Sequence, residues 1–172
     1  MSIASEKKNS HVVEYLLYVW QMEDLVRALN FDAGAIRGLM GDGSEDDLRW
    51  MLELARDMER QKLQESGHVD HAVETLTEFA LLHDLLIGPM EDKAYVRAFE
   101  TAEPHLEALR SRSGQPEAVE HPVIGMMTAL YGWLVLRMKR ERLATETESS
   151  LVAIREMANA LARGHIRVYQ GR

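Results

Sequence analysis

The stretch VVEYLLYVWQMEDLVRAL, Val12 to Leu29, decides the fold. Helical spacing places Tyr15, Tyr18, Val19, Met22, Leu25, Val26 and Leu29 on one continuous stripe. Leu16, Leu17 and Trp20 fall on the far side, beside Glu23, Asp24 and Arg27. A helix apolar on two faces is covered on both, so it lies at the centre of a bundle or between two chains. Charges set among those apolar residues must be paired, because an uncompensated charge out of water is costly. Glu23 and Arg27 stand four apart in the favourable order. Arg137, at the end of a later apolar stripe, is a candidate partner for Glu23 or Asp24. If Asp24 is such a buried partner, Asp24→Ala costs about 3–5 kcal/mol.

Working outward, the 172 residues fit one domain, and a domain of this size buries about 70% of its unfolded surface. Apolar residues make up 46% and charged residues 28%, far from the disordered class. The net charge of −8 argues against nucleic-acid binding, whose affinity comes largely from lysine and arginine on phosphates. The charge is uneven: residues 137–172 carry 8 basic and 4 acidic side chains, and residues 1–136 carry 12 and 24. The Arg137, Lys139, Arg140 and Arg142 cluster reads as a helix C-terminus, where cations complement the dipole. There is no cysteine, which excludes disulfides and thiolate metal sites and permits a reducing compartment. Lys7 and Lys8 precede an apolar run, but Glu14 interrupts it and no small-residue cleavage site follows. The apolar segment Val123 to Leu136 has only 14 residues, too few to span about 30 Å of hydrocarbon. These features point to a soluble, cytoplasmic protein without a membrane partner.

No stretch alternates as a strand, and six or seven helices can be laid down, so the class is all-α. The first runs from Ser10, as N-cap, to Asn30, and a short one follows from Asp32 to Met40. Ser44 with Asp47 forms a capping box for a third that Gly67 ends. The fourth spans Asp70 to Ile87 and stops at Gly88-Pro89. The fifth starts near Asp92, with Pro104 expected to kink or restart it, and Ser111 to Pro116 form a loop. Pro122 opens a sixth running to about Arg142, and Thr145 with Glu148 caps a seventh reaching Gly164 or beyond. Residues 1–9 and 168–172 are left as tails of a single, mostly up-and-down bundle over 1–172.

Gly125, Thr128, Ala129 and Gly132 form a narrow small-residue stripe on the sixth helix, the pattern of a close helix crossing. A polar pocket lined by Trp20, Gln21, Glu23, Asp24, Arg27, Tyr131 and Arg137 is the candidate ligand site, the alternative to a purely structural charge network. His71, Glu74 and Glu78 can share a helix face near His68 and His83, but a bundle metal centre needs the motif from several helices. That face reads as solvated and His83 as a hydrogen-bonded core histidine. No nucleophile elbow and no phosphate loop is present, so neither a catalytic residue nor a cofactor is assigned.

EYLLYVWQMEDLVR (Glu14 to Arg27), GHV (Gly67 to Val69), ALYGWLVLR (Ala129 to Arg137) and TETE (Thr145 to Glu148) resemble a family of small bacterial proteins known as a domain of unknown function. The resemblance spans nearly the whole chain and departs around Gly41 to Glu45 and in the C-terminal tail. It implies an all-helical cytoplasmic protein with no established activity, and polar positions matching Gln21, Glu23, Asp24 and Arg27. The double-sided first helix and the small-residue stripe lead to the expectation of a non-enzymatic module that self-associates as a dimer. The rival expectations are a binder or enzyme of a small polar ligand and a metal-dependent bundle enzyme.

Overall fold

Ser2 accepts the backbone N–H of Ser5 and opens α1, Ile3–Ser10, in the stretch read as a tail. In a computed structural model, which describes residues 1–114 and 120–171, seven further helices follow and no strand occurs among the described residues. They are α2 (Val12–Ala28), α3 (Ala33–Met40), α4 (Glu45–Arg60), α5 (Asp70–Ile87), α6 (Lys93–Ser111), α7 (Pro122–Met138) and α8 (Thr145–Tyr169). Among the described residues eight helices thus replace the expected six or seven, because the amino-terminal segment is itself helical. Ser10 ends α1, and the N-cap of α2 is His11, whose Nδ1 accepts Glu14 N–H. Of the expected loop from Ser111 to Pro116 and tail from 168 to 172, residues 115, 116 and 172 lie outside the described residues. No helix among the described residues is long and apolar enough to cross a membrane.

The chain divides into two compact units, Met1–Thr75 and Leu76–Arg172, the division falling inside α5. In the first, α1 packs on α2 and α4, α2 also packs on α4, and α3 packs on α4. Val13, Leu16, Val19, Val26, Ile36, Met51 and Met58 are buried there. Only Glu14, Asp24 and Ala28 of α2 are exposed, as a helix covered on both faces requires. Asp47 receives the N–H of Ile3 and the hydroxyl of Ser44, so the capping box of α4 also fastens α1. In the second unit α6 runs along α8 and α7 contacts both. Phe79, Leu82, Leu86, Tyr95, Met126, Met127, Ile154 and Met157 are buried there. Gly164 is required by packing, since an added Cβ would come within 2.6 Å of the buried Leu86 side chain.

Four further features differ from expectation. α4 stops at Arg60, not Gly67, because Lys62 takes a left-handed conformation and Leu63 N–H returns to the Met58 carbonyl. α7 stops at Met138, with Arg140 left-handed and Glu141 N–H on the Leu136 carbonyl, the same closure. α6 passes through Pro104 as one helix. α8 starts without a side-chain cap, Ala144 being its N-cap, so the capping box expected from Thr145 and Glu148 does not form.

Candidate functional site

Within the first unit the polar residues of α2 grip the segment that joins α4 to α5. Glu23 has no exposed surface, and its carboxylate accepts the N–H of Val69 at 2.8 Å and meets His68 Nδ1 at 2.6 Å. The Val69 N–H stands just before the first turn of α5, where a negative charge is favoured by the helix dipole. Gln61 adds a second side-chain acceptor for that end, receiving Asp70 N–H at 2.9 Å. The His68 ring stacks on Trp20, centroids 4.5 Å apart and 13° from parallel. Arg27 donates Nε to the Leu63 carbonyl at 3.0 Å and a further N–H to the Gly67 carbonyl. Gly67 has φ of +96°, a conformation a side chain would strain.

The pairing therefore differs from the sequence expectation. The partner of Glu23 is His68, and Arg27 pairs with Asp24 at 3.0 Å across i,i+3. Asp24 is 57% exposed and is not a buried partner of an arginine: it stands on the one edge of α2 that faces water. Trp20 and Glu23 are buried, while Gln21 and Arg27 are half-buried. In the second unit Tyr131 is half-buried and Arg137 is exposed, its guanidinium 5.7 Å from the Trp133 ring centroid. Arg155 sits closer over the same ring, at 4.1 Å.

The second unit also carries an apolar groove of about 540 Å³ lined by α6, α7 and α8. Thr128, Ala129, Gly132, Trp133 and Leu136 of α7 line it together with Leu109 and Arg112 of α6 and Glu146 of α8, and His105 of α6 and Ser150 of α8, also in the lining, are hydrogen-bonded to each other at 2.9 Å. The small-residue stripe meets α6 at one end, where a Cβ added at Gly125 would lie 3.8 Å from Leu106, but at Gly132 it faces open space: among the described residues no atom outside its own helix backbone lies within 4 Å of a Cβ added there. The inner stripe of α7, Val123, Met126, Met127 and Leu130, is the buried one.

A third arrangement joins α5, α6 and α7. His83 is 5% exposed; its Nδ1 lies 2.6 Å from the Tyr95 hydroxyl, and its ring meets the Phe99 ring edge to face at 4.7 Å. His121 is the N-cap of α7, accepting Val123 N–H at Nδ1, and its Nε2 donates to Asp84 at 3.2 Å. The two imidazoles stand nearly perpendicular, centroids 5.0 Å apart. Burial, then the neighbouring His121, push the His83 imidazole down to about 4, with Asp84 opposing. Burial raises the Tyr95 hydroxyl far above its usual range. Both groups are accordingly neutral at pH 7. Among the described residues, His83, Asp84 and His121 form the cluster whose donor atoms all lie within 4.8 Å of one another. Helical periodicity puts His83 in the core, but Asp84 and His121 escaped the sequence reading because no local spacing links α5 to the cap of α7. The His71, Glu74 and Glu78 face, by contrast, is half-buried at His71 and exposed at both glutamates.

No curated protein and no solved structure matches this chain. One family does, over residues 1–172, and the chain belongs to it: the family described as Domain of unknown function (DUF4924).

Proposed function

We propose that this protein is a non-enzymatic helical module that works as a homodimer, each copy covering the α6, α7 and α8 groove of the other. The observation that carries the reading is Gly132. A glycine inside a helix costs about 1 kcal/mol relative to alanine, and here no described atom of the chain uses the space it leaves. That space suits the backbone of a second α7. The reading further places the protein in the bacterial cytoplasm, consistent with a chain free of cysteine.

Gly132→Leu separates the dimer from the fold. The new side chain enters open space within the monomer, and leucine favours the helix, so the melting temperature holds or rises. The same side chain keeps a second α7 at a distance. Light scattering at tens of micromolar should give a dimer for the parent chain and a monomer for the variant. A parent chain that is strictly monomeric at that concentration ends the proposal, as does a variant that dimerises equally well.

A further inference from the structure

We infer that His83, Asp84 and His121 form a binding site for one divalent transition-metal cation of the Zn²⁺ type, with water completing its shell. Two imidazoles and one carboxylate are the donors such ions select, whereas calcium and magnesium prefer oxygen alone. All three donor atoms already lie within 4.8 Å of one another. Two ligands at about 2.0–2.2 Å on a tetrahedral ion sit roughly 3.3–3.5 Å apart, and Asp84 Oδ1 and His121 Nε2 stand at 3.2 Å.

The surroundings prepare the ligands rather than merely gathering them. His83 is fixed by the Phe99 ring and by the Tyr95 hydroxyl on Nδ1. When Nδ1–H donates to that hydroxyl, Nε2 keeps its lone pair, the outer-shell device by which proteins orient histidine ligands. The donor set grades from buried His83 through half-buried His121 to exposed Asp84, which leaves a path from solvent on the carboxylate side. One rearrangement is required. Coordination through His121 Nε2 moves its proton to Nδ1, which now accepts the Val123 N–H, so the ion releases this cap of α7.

Titration calorimetry of the full chain with ZnCl₂ near pH 7.5, with any affinity tag removed, tests the site. One equivalent should bind, and Co²⁺ in its place should give visible absorption from a site of low coordination number. His83 is buried and its replacement could unfold the protein, so the variants are Asp84→Asn and His121→Asn, each expected to weaken binding by at least about tenfold. The Val123 amide resonance should move on adding zinc. Absence of stoichiometric binding at micromolar protein overturns the inference, and so does full affinity retained in both variants.

Discussion

At the scale of single residues, Glu23 and Asp24 are neighbours with opposite energetic roles. Glu23 is fully buried and serves both His68 and Val69, whereas Asp24 is 57% exposed and serves Arg27. Glu23→Ala leaves His68 and the buried Val69 N–H at the start of α5 without their acceptor and should cost about 1–3 kcal/mol. Asp24→Ala should cost under about 1 kcal/mol. Urea unfolding of the two variants measures the contrast, and equal losses would show that the assignment of roles is wrong. His83 gives a pH dependence. Its folded-state value is about 4 against 6.5 unfolded, so between these limits the unfolded chain binds a proton that the folded one does not. Stability from this group therefore falls as pH drops from about 6.5 to about 4, by about 3 kcal/mol in all. Burial is the main cause of the shift; His121 beside the ring deepens it and Asp84 opposes it. Unfolding free energies across that range, with chelator present, should slope less in His83→Gln than in the parent, and identical slopes would refute the account.

At the scale of elements, hydrophobic periodicity located nearly every helix, and the first covered helix was legible because its burial is written into both of its faces. The fourth helix matched residue for residue, Asp70 to Ile87, since Gly88-Pro89 permits no continuation. Other stops were illegible for a physical reason. α4 and α7 end on left-handed Lys62 and Arg140, residue types that carry no turn signal, and their closure depends on backbone hydrogen bonds rather than side chains. α1 was missed because a short polar helix shows little periodicity, and its anchor, Asp47, lies in another element. The site followed the same rule. The residue types in α2 were conspicuous, but the partner of Glu23 depended on where a loop brings His68, and the His121 contact depended on the start of α7.

At the scale of the whole molecule, the groove has a polarity that specifies how two copies would meet under the dimer proposal. Its lining carries Arg112 from α6 and Glu146 from α8, both exposed. A two-fold arrangement that brings Arg112 of each copy to Glu146 of the other pairs unlike charges, whereas one that opposes arginine to arginine and glutamate to glutamate is disfavoured. Reversing one of the two charges should therefore break the pairing, and reversing both should restore it. Glu146→Arg or Arg112→Glu alone is expected to weaken dimerisation about tenfold at low salt, and the double reversal to recover most of that loss. At high ionic strength the differences should shrink, because exposed charges are screened over about 8 Å at physiological salt and less beyond it. Sedimentation equilibrium on the four proteins at two salt concentrations reads both effects. A double variant as weak as the sum of its singles would rule out the pairing of Arg112 with the partner copy's glutamate.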